Sequence, residues 1–184
     1  MRIDDLEGKS ALVTGSSTGI GAAVAIAFAR AGMKVAVHYN ASRAAAEKVA
    51  ADVEREGSRS VLLAGDVGKP EACAQLVDRT IAAFGRLDVL VNNAGSVVRR
   101  VPFAEMTQDF YDKVMDLNAR SVFACSLAAV KPFLAQGSGN IISTTSVAAR
   151  SGGGVGSILY AGAKGFVSSF TRGLARSWRR PISA

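Results

Sequence analysis

The stretch Ser10-Ala-Leu-Val-Thr-Gly-Ser-Ser-Thr-Gly-Ile-Gly21 decides the fold. Ser10–Thr14 is a short run that reads as a buried strand, and Thr18–Ala31 reads as a helix that Gly32 stops. Three glycines stand where strand passes into helix. Gly15 permits a tight turn, Gly19 lets the backbone approach a pyrophosphate, and Gly21 lets the helix pack against the strand. The helix then offers free N–H groups and the positive end of its dipole to phosphate. A glycine-rich turn carries little weight alone, but a strand before it and a helix after it are the context that a dinucleotide-binding turn requires. The spacing here is G-x-x-x-G-x-G rather than G-x-G-x-x-G.

Outward from this turn, β-branched runs alternate with helical stretches. Strands are expected at Lys34–His38, Ser60–Ala64, Leu87–Val91 and Asn140–Ser143. Helices are expected from a Ser42 cap to Glu56, from Pro70 to Phe84, from a Thr107 cap to about Ala135, and from Ser157 to about Ser177. Such alternation implies an α/β fold, a parallel sheet with helices on both faces. Right-handed crossovers make it doubly wound and Rossmann-like. With 184 residues, no repeats and no linker, the chain reads as one domain over 1–184.

Composition narrows the function. The charged start Met1–Glu7 lacks the apolar stretch of a signal peptide, and the longest apolar run, Ala22–Ala29, is too short to span a bilayer, so a soluble cytoplasmic protein without membrane contact is expected. Cys73 and Cys125 sit in helical apolar stretches and read as small core residues. With no CxxC pair and His38 as the single histidine, no metal site is expected. The net charge of +7 is uneven. No Asp or Glu follows Asp116, whereas Arg120, Lys131, Arg150, Lys164, Arg172, Arg176, Arg179 and Arg180 do. A nucleic-acid patch is one reading of that excess, but no aromatic-interleaved basic stripe supports it and no nucleic-acid partner is expected. The other reading is that the chain stops before the acidic residues that would balance it.

The chemistry falls on the later strands. Tyr160 and Lys164 are four apart at the start of the last helix, so they share a face. A phenol normally titrates near 10, and a nearby ammonium favours its ionised form, which is the help that acid–base work near neutral pH requires. Ser146 follows the fifth strand and Asn92-Asn93-Ala94-Gly95 follows the fourth, both at the carboxyl ends where open α/β sheets bind ligands. Asn118 lies in the helical region between them.

In these motifs the chain resembles the short-chain dehydrogenase/reductase family in its compact form, with a narrower likeness to 3-oxoacyl-acyl-carrier-protein reductases. T-G-x-x-x-G-I-G at Thr14–Gly21, Asp66-Val67, N-N-A-G at Asn92–Gly95, Asn118, Ser146 and Y-x-x-x-K at Tyr160–Lys164 carry the likeness, which covers about residues 8–178. The resemblance implies strand order 3-2-1-4-5 and hydride transfer between a nicotinamide cofactor and a small carbonyl or alcohol substrate. It implies that Tyr160 is the general acid or base and that Lys164 holds the nicotinamide ribose and assists Tyr160. Ser146 would orient the substrate oxygen, and Asn118 would position a proton-relay water. Gly15, Ser17, Thr18, Gly19, Ile20 and Gly21 would hold the pyrophosphate side, Asp66 and Val67 the adenine, and Asn93, Ala94 and Gly95 the ribose and nicotinamide side. Family members are usually homodimers or homotetramers.

The end of the second strand, Val37-His38-Tyr39-Asn40-Ala41-Ser42-Arg43, holds no carboxylate. An acid there would hold a ribose 2′-hydroxyl and repel a 2′-phosphate, so NADP(H) is favoured over NAD(H), with Asn40, Ser42 and Arg43 as its contacts. Against this, Thr18 stands where many NADP-dependent relatives carry Arg or Lys. Family members continue beyond the Tyr–Lys helix with a sixth and a seventh strand and a Pro-Gly turn, which this sequence lacks after Trp178. Two expectations follow: the chain is a truncated oxidoreductase with Asn140–Ser143 as a sheet edge, or it is a cofactor-binding module impaired in turnover.

Overall fold

The structure, a computed structural model, describes residues 5–179. The Met1–Asp4 start and the Arg180–Ala184 end, to which part of the expected charge pattern belongs, lie outside the described residues.

Five strands form one parallel sheet: β1 Ser10–Val13, β2 Lys34–Tyr39, β3 Ser60–Ala64, β4 Val89–Asn92 and β5 Asn140–Ser143. Their order is β3-β2-β1-β4-β5, as the resemblance implies. The helices are α1 Gly19–Arg30, α2 Arg43–Arg55, α3 Pro70–Phe84, α4 Gln108–Met115, α5 Ser121–Ala135, α6 Ala148–Ser151 and α7 Ile158–Arg179. No helix among the described residues is long and apolar enough to cross a membrane.

Side chains alternate across the sheet, and the register stacks like with like. Leu12 pairs with Ala36 and with Leu90, and these residues share one core with Leu63 and with Leu76, Cys125 and Phe133 of α3 and α5. Val13 pairs with Val37 and with Val91, which pack on the other face against Ala25 and Ala29 of α1 and Val49 and Val53 of α2. Helices on both faces explain why the central strands read as continuous apolar runs. β5 is the outer strand of the described sheet, and Ile142 on it is 46% exposed. Cys73 and Cys125 are free and buried.

Four local expectations are corrected. The helical region expected from Thr107 to about Ala135 is broken: between α4 and α5, Asp116–Arg120 winds as a wider π turn, and Asn118 sits in its middle. Thr107 caps α4 by accepting the N–H of Phe110 at 3.2 Å, but Ser42 makes no side-chain cap bond to α2. The fourth strand starts at Val89 rather than Leu87, and the short helix α6 arises where none is expected.

The order of the sheet reverses between β1 and β4. One connection leaves β1 towards β2 and β3, and the other crosses to β4 and β5. The turns that follow β1 and β4 therefore diverge at their carboxyl ends and leave a crevice between them.

Candidate active site

The crevice begins with the turn after β1. Gly15 has φ +64°, in the left-handed region that favours glycine. It sits so close to the turn after β4 that a Cβ there would lie 2.9 Å from Ala94 Cα. A Cβ on Gly21 would lie 2.5 Å from both Asn93 Nδ2 and Gly15 O. The two turns are also tied by hydrogen bonds. Thr14 Oγ1 accepts the N–H groups of Asn93 at 3.0 Å and Ala94 at 3.1 Å, and Asn93 Nδ2 donates to Thr14 O at 2.9 Å and Gly15 O at 3.1 Å. Thr14 is thus the strut of the site. The sequence reading places it in the motif but gives it no task.

At the start of α1 no side chain caps the helix at Thr18, and its first turn carries no acid. A Cβ on Gly19 would meet nothing within 4 Å. The first turn of α1 is thus left without a side-chain cap, which suits a pyrophosphate. On these observations the cradle fits a dinucleotide.

From this turn a cleft of about 690 Å³ runs across the carboxyl ends of the strands. Gly15, Ser17, Thr18, Ile20, Asn40, Ser42, Asp66, Val67, Asn93, Ala94, Gly95, Ser146, Tyr160 and Lys164 all line it. Gly19 and Gly21, in the same turn, are not among the lining residues. Arg43 is not among the lining residues; its guanidinium donates to Glu47 Oε1 at 2.8 Å, an exposed pair one helical turn apart. His38, Ser96, Leu117, Thr144 and Thr145 also line the cleft, and sequence reasoning assigns none of them to it.

At the far end, α7 carries Tyr160 and Lys164 one turn apart. The Lys164 ammonium is 5.8 Å from the centre of the Tyr160 ring. Lys164 is only 3% exposed, and its Nζ donates to Thr144 O at 2.8 Å. Burial lowers its pKa from the ordinary lysine value. Thr145 Oγ1 donates to Lys164 O at 3.0 Å, fixing α7 against the turn after β5. Ser146 Oγ accepts the N–H of Ala148 at 3.2 Å, and its own hydrogen is left to donate into the cleft.

Asn118 is fully buried in the π turn. Its Oδ1 accepts the N–H of Ser96 at 3.0 Å, and its Nδ2 donates to Ser96 O at 2.8 Å and Val114 O at 2.9 Å. It holds the chain beyond Gly95 in place and lies beside the lysine: a Cβ on Gly95 would lie 2.8 Å from Asn118 Oδ1 and 3.2 Å from Lys164 Nζ. The π turn aims this amide inward, as such irregular turns often do at functional sites.

Comparison with known proteins identifies the family. The family model for short chain dehydrogenase matches residues 9–182. The chain is 41% identical to versicolorin reductase stcU of Emericella nidulans over 92% of its own length and 63% of that protein. It is also 41% identical to the 3-oxoacyl-[acyl-carrier-protein] reductase of Synechocystis sp., over 93% of its length and 68% of that protein. It thus spans about two thirds of these relatives. Among solved structures, the NADH-dependent reductase A1-R′ complexed with NAD superposes with a TM-score of 0.90 at 35% identity, over 95% of this chain and 75% of that one. A short chain dehydrogenase from Burkholderia cenocepacia in complex with NADP gives 0.87 at 40% identity, over 94% and 69%. With its motifs set around one cleft in the manner described, the chain belongs to the short chain dehydrogenase family.

Proposed function

We propose that this chain forms the dinucleotide-binding and proton-transfer part of an NAD(P)-dependent oxidoreductase acting on a small carbonyl or alcohol. The observation that carries the reading is the cleft itself, which joins the uncapped start of α1 at one end to Tyr160, Lys164 and Ser146 at the other. The nicotinamide, when bound, supplies or accepts the hydride. Everything else falls to the side chains. Ser146 donates a hydrogen bond to the substrate oxygen. Tyr160 gives its phenolic proton to that oxygen in reduction and takes it back in oxidation. Lys164 holds the ribose hydroxyls and places a positive charge beside the Tyr160 ring. Asn118 fixes the backbone at Ser96 and, from its place beside Lys164, serves the path by which protons return from solvent. Asp66 and Val67 take the adenine end.

NADP(H) is the preferred cofactor. The cleft near the end of β2 is lined by Asn40, Ala41 and Ser42, with no acid among them to repel a 2′-phosphate. Asn40 and Ser42 line that end, and Arg43, held in an exposed pair with Glu47, stands beside them to complete the recognition.

The test is Tyr160→Phe. It removes one proton donor and leaves the cleft's shape, so NADPH binding is retained within about threefold while turnover of a simple diketone falls by about 10²–10⁴-fold. Full turnover by the phenylalanine variant would overturn the role of Tyr160.

A further inference from the structure

The single histidine has no task in the mechanism above, yet it is 1% exposed and sits between the two halves of the cofactor cleft. Gly15 N–H donates to its Nδ1 at 2.8 Å, and its Nε2 lies 3.0 Å from Gly65 O. A backbone N–H can only donate and a carbonyl can only accept. The two partners therefore fix the ring as the neutral tautomer with its proton on Nε2. The backbone of His38 is locked to the same turn: its N–H donates to Ser16 Oγ at 2.9 Å, and its carbonyl accepts Ser16 N–H at 3.0 Å. Ser16 Oγ in turn donates to Val13 O at 2.7 Å.

We propose that His38 is a positioning residue for the dinucleotide: its neutral ring ties the phosphate-binding turn at Gly15 to the adenine-side loop at Gly65, and its protonation weakens cofactor binding. The inference rests on the functional reading above. Gly15 on one side and Asp66 and Val67 on the other line the same cleft, so the ring bridges the groups proposed to hold opposite ends of the cofactor's adenosine half. A proton on Nδ1 would set a donor against the Gly15 N–H at 2.8 Å. The turn would have to move, and the pyrophosphate cradle with it.

The surroundings set the direction of the pH effect. β1 and the turn Thr14–Thr18 bring no titratable side chain, β2 itself brings Lys34 and Tyr39, and β3 brings none. The loop after β3 brings Asp66, whose carboxylate favours the charged ring, but burial outweighs it and lowers the pKa of His38 below 6.5. The folded-state value is thus below the unfolded one, so the neutral staple is intact above about pH 6.5 and is lost as pH falls through the depressed value.

Two variants and one spectrum decide it. Asparagine places an amide oxygen near the position of Nδ1 and cannot be protonated; leucine fills the space with no acceptor. NADP⁺ titrations at pH 8 give a Kd for His38→Leu about tenfold or more above wild type, because the Gly15 N–H loses its buried partner, while His38→Asn stays within about threefold. As pH falls from 8 through the depressed titration of the ring, the wild-type Kd rises about tenfold relative to that of His38→Asn, a ratio in which the cofactor's own 2′-phosphate titration cancels. Histidine-labelled ¹⁵N spectra show one imidazole, as the Nε2–H tautomer at pH 7. An Nδ1–H tautomer, a wild-type to asparagine ratio independent of pH, or a folded leucine variant that binds as wild type would each overturn the proposal. If the leucine variant does not fold, the ratio and the spectrum still decide. Absence of any wild-type NADP⁺ binding would instead defeat the functional reading, and the tautomer would still report on the staple.

Discussion

Gly21→Ala perturbs the packing of α1 on the phosphate turn with one methyl group. That methyl would lie 2.5 Å from Asn93 Nδ2 and from Gly15 O, and 2.9 Å from Ser16 Cα. Two of these neighbours are backbone atoms that cannot swing away. The third is the amide that donates to Thr14 O and Gly15 O. Losing both of its hydrogen bonds costs about 1 kcal/mol each. Forcing the helix off the turn adds about 1–3 kcal/mol of overpacking strain. Alanine returns about 1 kcal/mol through its better helix propensity. The net loss is about 2–4 kcal/mol, which for a chain of this size lowers Tm by about 5–15 °C. Gly173→Ala is the control, because a Cβ there meets nothing within 4 Å and should raise stability by up to about 1 kcal/mol. Thermal melts of the three proteins read both effects. A Gly21→Ala melt within about 2 °C of wild type, with Gly173→Ala behaving as expected, would show that the β1–α1 turn is not held as tightly as these distances require.

Two further substitutions separate structure from chemistry. Thr14→Val keeps the shape of a 2% exposed side chain but strands the N–H groups of Asn93 and Ala94; we expect a loss of about 2–4 kcal/mol in denaturant melts together with weaker dinucleotide binding. Lys164→Met should weaken NADPH binding tenfold or more, yet leave Tm at or above wild type. Its lysine pKa is lowered by burial, so the stability linked to that shift is fully present only above the unfolded value of 10.5 and is lost as pH falls through the lowered folded value; the charged form is a buried burden that methionine relieves. A Lys164→Met protein that melts well below wild type would mean that the hydrogen bond to Thr144 O outweighs the cost of burying the ammonium.

Much of this site is legible in the sequence because its signals are local. The glycine turn, N-N-A-G and the Tyr160–Lys164 spacing each occupy a few consecutive residues, and the alternation of strands and helices carries them to one sheet end. The strand order rests on the family resemblance, since periodicity alone does not rank strands within a sheet. Interactions between distant residues are not legible. His38 reads as a lone histidine on a strand until the fold brings Gly15 and Gly65, 23 and 27 residues away, to its two ring nitrogens. Thr14 looks like the last residue of a strand until the turn after β4 docks on its hydroxyl. The π turn around Asn118 depends on hydrogen bonds spanning five residues and leaves no mark on apolar spacing. Nor is the local pairing of Arg43 legible at a glance: Glu47, one helical turn on, accepts from its guanidinium.

The most direct test of the central claim, a nicotinamide dinucleotide site across the carboxyl ends of this sheet, is a fluorescence titration of the chain with NADPH and, in parallel, NADH. The account predicts saturable binding of one NADPH per chain, tighter than NADH and lost in Gly15→Val, whose side chain would stand against Ala94 in a backbone conformation unsuited to it. Absence of saturable binding of either cofactor, or binding that Gly15→Val leaves unchanged, would contradict it.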